Sequence, residues 1–202
     1  MIIDPGPLNR RERYMLMTGC IVPRPIGFLS TEDAAGVRNL APFSFFNGVS
    51  ASPPMVAVAI AARRSGPKDT LRNIEDTGAF VVNVVDESIA EAMNRTSGDY
   101  PPEVDEFEVA GLTPIPSERV RPPGVAEAPI RMECRLERVI VLGDPARAAR
   151  LVLGEILLFH VRDDLWREGA VDPEALRAIG RMGGAGYCRT RSLFELDRPD
   201  VG

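Results

Sequence analysis

Apolar and polar positions follow β-strand patterns in the first third of the chain. Residues 25–31 (PIGFLST) are predicted to form a strand, and residues 32–36 (EDAAG) a turn that ends at Gly36. A second strand is predicted over residues 37–46, so that the two strands form a hairpin. Residues 55–62 (MVAVAIAA) are apolar on both faces, as expected of a buried strand.

Strand patterns return in the second half of the sequence. Residues 80–85, a short and mostly apolar run, are predicted to form a strand. Between residues 131 and 143 apolar and charged side chains alternate, which predicts a half-exposed antiparallel strand with Glu133 on its charged face. Residues 150–161 are apolar on both faces, so this strand is expected to be central or covered by a second subunit. A last strand is predicted over residues 186–196.

Several short segments have helical spacing instead. Residues 10–19 are predicted to form a helix that Gly19 closes, and a second helix is expected to run to Thr77. In the second helix Leu71 and Ile74 share one face, and Gly78 ends it. Two further short helices are predicted within residues 86–98 and 172–180. The proline-rich segment 100–129 is predicted to be a long ordered loop.

These elements together indicate the class of fold. Strands outnumber helices, most connections have the length of hairpins, and no internal repeat is found in the sequence. We therefore expect a mainly β fold, an antiparallel barrel with a few short peripheral helices. A single domain is predicted to span residues 1–202.

Composition and charge argue against several partners. The net charge is -5 and arginines are interspersed with acids, so no nucleic-acid-binding face is expected. No apolar run reaches the roughly 18 residues that span a membrane, and the N-terminus lacks the apolar core of a signal peptide. The three dispersed cysteines, Cys20, Cys134 and Cys188, are typical of reduced thiols. We therefore expect a cytoplasmic protein.

Motifs for several chemistries are missing from the sequence. The single histidine, His160, is flanked by apolar residues, which favours a packed core or interface role over metal ligation. There is no G-x-S-x-G elbow, no G-x-G-x-x-G after a strand and no P-loop. An enzyme with this sequence would therefore depend on a bound cofactor for its chemistry.

Lys68, Asp69 and Thr70 stand at the start of the predicted second helix. With Asp69 as N-cap, the free N–H groups of the first turn, the Lys68 charge and the Thr70 hydroxyl would form an anion site suited to a terminal phosphate. Taken by themselves, the three residues are more common in an ordinary capped helix with a solvated lysine.

The predicted hairpin carries a second group of candidate residues. Ser30 and Thr31 end its first strand, and residues 39–44 lie in the strand paired with it. An isoalloxazine ring needs hydrogen-bond partners along its edge and a flat apolar wall. Small polar residues on a strand edge, with Phe43, Phe45 or Phe46 beside them, would supply both. An ordinary strand with β-favouring aromatic residues fits the same pattern equally well.

Three segments of the sequence resemble a known family. They are VPRPIGFLST (22–31), NLAPFSFFNGVSASPPMVAVAI (39–60) and GPKDTLRNIEDTGAFVVNVV (66–85), with support from EAMNRTS, LVLGEILLFHV and GRMGGAGY further on. Together they resemble the flavin reductase-like family, the FMN-binding split-barrel proteins of the flavoredoxin type. The resemblance implies a six-stranded antiparallel split β-barrel that forms homodimers, with FMN near the subunit interface.

The resemblance also implies positions for the cofactor-binding residues. Those implied to line the ring and the ribityl chain are Ser30, Thr31, Asn39, Leu40, Ala41, Phe43 and Ser44. Those implied to lie near the phosphate are Ser50, Lys68 and Thr70, and Asp69, the predicted N-cap between the last two, is counted with them as a cofactor-binding residue. Residues 181–187 are expected to approach the ring from another side.

The leading functional hypothesis is an NAD(P)H-dependent FMN oxidoreductase. It would pass hydride from the nicotinamide to the flavin and electrons on to an acceptor, with no side chain acting as an acid or base. Two alternatives stay open at this point. One is an FMN-binding electron carrier without its own nicotinamide site, and the other is a barrel that binds a different small ligand.

Overall fold

The computed structural model describes residues 1–63, 66–144 and 148–199, and in them the chain is mainly β with short helices. The helices are α1 (Arg10–Cys20), α2 (Asp69–Thr77), α3 (Ala90–Arg95), α4 (Glu106–Ala110) and α5 (Pro173–Leu176). The longer strands are β1 (Gly27–Glu32), β2 (Arg38–Phe43), β3 (Phe46–Ala51), β4 (Pro54–Ile60), β5 (Ala79–Val84), and then β8 (Ile130–Leu142) and β9 (Ala149–Val161). The short strands are β6 (Pro114–Ile115), β7 (Gly124–Val125), β10 (Trp166–Arg167), β11 (Ala170–Val171), β12 (Ile179–Arg181) and β13 (Tyr187–Arg189).

The seven longer strands form one antiparallel sheet in the order β2-β1-β5-β8-β9-β4-β3. The predicted hairpin is confirmed, because β1 and β2 pair antiparallel with Gly27 opposite Phe43 and Thr31 opposite Asn39. The remaining short strands pair as β6-β7, β10-β11 and β12-β13. β9 lies between β8 and β4, so the first of its two predicted alternatives, a central strand, is confirmed.

The second predicted strand is divided in two by the structure. β2 ends at Phe43 and β3 begins at Phe46, whereas the sequence pattern predicted one strand over residues 37–46. The break has a topological cause: β2 pairs with β1 at one edge of the sheet, and β3 pairs with β4 at the other. Ser44 and Phe45 carry the chain between these edges. The sheet therefore has seven strands instead of the six that the family resemblance implies.

Both faces of the sheet are packed against apolar side chains. Since successive residues of a strand point to opposite faces, Phe28 belongs to one cluster and Leu29 to the other. The Leu29 cluster includes Phe80 of β5 and two residues of α2, and the Phe28 cluster includes residues of α3 and α4. Gly154 of β9 has no Cβ, and the Phe80 ring lies in the space that a Cβ there would need.

Of the two glycines predicted to end helices, one does so and the other does not. Gly78 adopts the left-handed conformation (φ 71°) as cap of α2, as predicted. Gly19 does not end α1; the helix continues to Cys20, and the Ile21 N–H bonds to the Met17 carbonyl oxygen. No helix in the described ranges is long and apolar enough to cross a membrane.

The predicted half-exposed antiparallel strand is confirmed as β8, in which Cys134 is buried and Arg135 and Glu137 are exposed. Glu133 is the exception, because it is buried (1% exposed) despite its place on the charged face of the pattern. Its carboxylate accepts the backbone N–H groups of Glu118 and Arg119 at 2.9 and 2.6 Å. The same carboxylate lies 2.6 Å from Nε2 of His160, so the histidine is a packed, hydrogen-bonded residue, as predicted. These partners compensate the carboxylate for its lost hydration.

The predicted loop and last strand are also refined by the structure. The segment 100–129 contains α4 and the β6-β7 pair. The last strand is much shorter than predicted: β13 spans Tyr187–Arg189 and pairs with β12 outside the main sheet. Because β12 also joins Arg24 through an isolated bridge, this C-terminal hairpin is fastened beside β1.

Candidate functional site

A cleft of about 180 Å³ opens where β2 ends. Its walls come from α1, the end of β2, α3 and the C-terminal hairpin. The lining residues that offer polar, charged or flat apolar groups are Pro42, Phe43, Ser44, Asn94, Arg181 and Tyr187. Two residues predicted from the sequence, Phe43 and Ser44, therefore line the same cleft as Arg181 and Tyr187 of the 181–187 segment.

Arg24 holds the walls of this cleft together. Its guanidinium is buried and donates to the carbonyl oxygens of Thr18 and Ile21, both at 2.7 Å. It also donates to the Met182 carbonyl oxygen at 3.0 Å and to the Ser44 hydroxyl at 3.3 Å. The sequence patterns predicted no role for Arg24. The available signal was an arginine between two prolines immediately before an apolar strand.

The opposite wall is stiffened by contacts of Arg181. Its guanidinium lies 4.5 Å from the centroid of the Tyr187 ring and donates to the carbonyl oxygens of Gly184 (2.7 Å) and Gly186 (3.1 Å). The Tyr187 hydroxyl donates to Oδ1 of Asn94 on α3 at 3.1 Å. Gly184 has a positive φ of 59°, which a glycine adopts at little cost in this tight turn.

Lys68 does not line the cleft but contacts a residue that does, since its ammonium lies 5.2 Å from the centroid of the Phe43 ring. It is the only lysine in the chain. Burial lowers the pKa of its ammonium, and the positive charge of Arg63 lowers it further, while Asp99 acts in the opposite direction. The described residues include no carboxylate within ion-pair distance of Lys68. This desolvated cation is therefore available to an anion.

Asp69 does not cap α2, which corrects the sequence prediction. The N-cap residue is Lys68, and no side chain bonds to the first turn from that position. The Asp69 carboxylate instead forms ion pairs with Arg72 at 2.6 Å and Arg63 at 3.3 Å. Because α2 begins at Asp69, this residue lies inside the first turn, and its carboxylate is held by two charge-assisted contacts with guanidinium groups.

Thr31, Asn39 and Thr70 are brought together inside the fold. Nδ2 of Asn39 donates to the Thr70 hydroxyl at 2.9 Å and to the Thr31 hydroxyl at 3.3 Å. Nδ2 of Asn73 donates to the same Thr31 oxygen at 3.2 Å. All four residues are buried. Their polar atoms therefore join β1, β2 and α2 to one another.

The other predicted site residues are dispersed. Ser30 faces the other side of β1, donates to the Pro123 carbonyl oxygen at 2.6 Å and is fully buried. Leu40 is a core residue whose N–H donates to Glu106, and burial raises the pKa of that carboxyl. Ala41 is half-buried on β2. Ser50 is exposed on β3, accepts the Ser52 N–H and does not line the cleft.

The fold and site define a mainly β domain with a cleft beside its large antiparallel sheet. A family model described as "Flavin reductase like domain" matches residues 18–175. The chain is also 45% identical over 204 residues to an uncharacterized protein of Halalkalibacterium halodurans, with 100% of this chain and 98% of that protein covered. The chain therefore belongs to the flavin reductase-like family.

Solved structures agree with this assignment. Nitrilotriacetate monooxygenase component B from Bacillus cereus is similar with a TM-score of 0.94 and 42% identity, over 97% of this chain and 98% of that one. The 2-nitrobenzoate 2-nitroreductase NbaA of Pseudomonas fluorescens is similar with a TM-score of 0.89 and 34% identity, over 100% and 98% of the two chains. Flavoredoxin of Desulfovibrio vulgaris (Miyazaki F), at 21% identity and a TM-score of 0.76, shares the fold over 100% of this chain and 98% of its own.

Proposed function

We propose that this protein is an FMN-dependent oxidoreductase that takes hydride from NADH or NADPH and passes electrons to an acceptor. Membership of the flavin reductase-like family supports this reaction class. So do the names of two similar structures, a monooxygenase component and a nitroreductase. The observation that carries the proposal is the cleft lined by Phe43 and Ser44, together with the desolvated ammonium of Lys68 that contacts the Phe43 ring.

The chemistry of the cleft residues fits a flavin. Pro42 and Phe43 offer apolar surface for a planar ring, and the Ser44 hydroxyl and the Asn94 amide offer polar groups at the rim. Lys68 offers a positive charge for the phosphate. The cleft is smaller than the roughly 300–1,000 Å³ of pockets that enclose whole ligands, so this chain alone would enclose only part of the cofactor.

Bound FMN would supply the ring that accepts hydride, and the side chains of this protein would position it. Arg24 would keep the Ser44 hydroxyl in place, since it bonds that oxygen and three carbonyl groups at once. Lys68 would balance negative charge near Phe43. The buried Thr31, Asn39 and Thr70 network would hold the strands in register behind these contacts.

We also propose that the protein is a homodimer, whose second subunit covers apolar surface left by the sheet. Phe159 of β9 is 51% exposed, and Ile140, Val141 and Leu142 at the end of β8 are also exposed. A second copy of the chain would bury such side chains. Light scattering at micromolar concentration is expected to give the dimer mass, and a monomer mass would contradict this part of the proposal.

A reconstitution experiment tests the reaction. Purified protein is mixed with FMN, freed of excess cofactor and titrated anaerobically with NADH and then NADPH while the visible absorbance is recorded. Bleaching of the flavin band by either nucleotide is the expected result. A yellow protein that only dithionite bleaches would identify an electron carrier, and a colourless protein would contradict flavin binding altogether.

A further inference from the structure

A second, larger cavity lies directly beside the cleft. It measures about 540 Å³ and is enclosed by α3 on one side and the β12-β13 hairpin on the other. Asn94 and Tyr187 belong to the walls of both cavities. Because the Tyr187 hydroxyl bonds to Asn94, this pair forms the boundary between them. A ligand that extends past the pair would occupy both spaces.

The lining of the second cavity is apolar at its base. Ala90, Ile179 and Cys188 contribute here together with the Tyr187 ring. Ile179 is itself buried, and Ala90 packs against the core cluster of Phe28. These residues therefore form a surface anchored in the fold, suited to the face of a planar heteroaromatic group.

Charged groups of both signs surround the apolar residues at the bottom of the cavity. Glu91 is exposed and has no hydrogen bond or ion pair among the described residues, so its carboxylate is free to accept hydroxyl donors. Arg95 donates through one nitrogen to the Ala110 carbonyl oxygen, and Arg189 bonds to Glu87. Since a guanidinium has five N–H donors, both arginines keep donors for a phosphate.

We propose that this cavity binds the adenosine-phosphate half of the nicotinamide dinucleotide. The inference rests on the proposed function, because the nicotinamide half would have to lie in the flavin cleft. Each part of the ligand would then contact a matching group. Adenine would pack against the apolar residues at the bottom of the cavity, and the phosphate would bind the guanidinium of Arg95 or Arg189. The ribose hydroxyls would donate to the carboxylate of Glu91. The volume lies within the usual range for small-molecule pockets.

A truncated substrate separates the two halves. Reduced nicotinamide mononucleotide lacks the adenosine half, so its oxidation does not depend on the second cavity. In Ala90→Phe, which fills the cavity, and in Glu91→Gln, which removes the carboxylate charge, KM for NADH is expected to rise by about tenfold. KM for the mononucleotide is expected to stay as in the parent protein. Glu108→Gln, an exposed change on α4, is the matched control.

Alkylation of Cys188 gives a readout that needs neither flavin nor turnover. In a Cys20→Ser background the exposed thiol is absent, and Cys134 is buried with a pKa that burial raises. ADP-ribose is therefore expected to slow iodoacetamide labelling of Cys188 several-fold, as followed by mass spectrometry. Tyr187 and Asn94 remain unchanged in this experiment.

The outcomes distinguish the inference from the function on which it rests. Unprotected Cys188, or equal KM changes for NADH and the mononucleotide, would overturn the adenosine site while leaving the oxidoreductase intact. If neither nucleotide is oxidised but ADP-ribose still protects Cys188, the proposed reaction is wrong and the nucleotide site stands.

Discussion

The ammonium of Lys68 lies 5.2 Å from the centroid of the Phe43 ring, and this contact joins the start of α2 to the end of β2. A cation over an aromatic face contributes about 0.5–2 kcal/mol, depending on how far it is desolvated. The contact also places the only lysine of the chain against Phe43, an aromatic residue that lines the cleft. The positive charge of Lys68 and the aromatic ring of Phe43 therefore lie side by side next to the cleft.

Replacing Lys68 tests its role toward the cofactor. Lys68→Met keeps the apolar stem and removes the charge, so FMN is expected to bind about 10–100-fold more weakly. Flavin fluorescence quenching measures this change. Lys68→Arg, which keeps the charge, is expected to lose less affinity than Lys68→Met. Equal affinities of Lys68→Met and the parent protein would show that the phosphate lies elsewhere.

The lowered pKa of Lys68 predicts unusual reactivity. A larger fraction of its amine is neutral at mildly alkaline pH than in an ordinary lysine, so it is expected to react faster with amine-directed reagents such as trinitrobenzenesulfonate. Peptide mapping distinguishes it from the N-terminal amine. FMN is expected to protect Lys68 and not the N-terminus. Modification at the same rate with and without FMN would argue against a contact.

Arg24 is expected to be critical for the stability of the protein and for the shape of the cleft. Arg24→Ala would leave one buried and two part-buried carbonyl oxygens without their donor, at a cost of about 3 kcal/mol. For a chain of this length, that corresponds to a Tm lower by roughly 6–12 °C. Arg11→Ala, an exposed change on α1, is expected to change Tm little. A stable Arg24→Ala protein with normal FMN affinity would refute this role.

Glu133 predicts a distinct pH dependence. Burial alone would raise its pKa, but the N–H of Glu118, His160 and the N–H of Arg119 together hold the pKa below the ordinary value of 4.5. The charged form therefore stabilises the fold at pH values above 4.5, and this contribution is lost as the pH falls through the folded-state pKa. Glu133→Gln is expected to be less stable by about 1–3 kcal/mol at neutral pH.

Urea unfolding at a series of pH values measures the Glu133 contribution. The difference in unfolding free energy between the parent protein and Glu133→Gln is expected to be largest near pH 7 and to shrink below pH 4.5. Because other carboxyls titrate in both proteins, the difference isolates Glu133. A difference that is constant from pH 7 to pH 3 would show that its charge does not matter.

Local patterns in the sequence were sufficient for much of the fold. The β1-β2 hairpin, the buried strand β4 and the glycine cap of α2 all depend on residues close in sequence. The break at Ser44 and Phe45 was missed because both flanking segments favour strands, and only the pairing with β1 and β4 separates them. Periodicity carries no information about such partners.

The site was harder to predict than the fold for the same reason, because its residues are brought together by partners distant in sequence. Phe43 and Ser44 line one cleft with Arg181 and Tyr187, while their predicted contacts with a flavin ring stay a prediction. The burial of Glu133 depends on partners at residues 118, 119 and 160, which its alternating pattern does not reveal. The capping role predicted for Asp69 failed because Arg63 and Arg72 bind the carboxylate.

The order of the elements along the chain has a consequence for biosynthesis. All seven strands of the main sheet precede residue 162, whereas one wall of the cleft and one wall of the neighbouring cavity come from the later β12-β13 hairpin. A ribosome-bound chain can therefore complete its sheet before it can enclose a ligand. The bond from Arg24 to the Met182 carbonyl oxygen, which spans 158 positions, would be among the last to form. Closure of the cleft would then follow completion of the sheet.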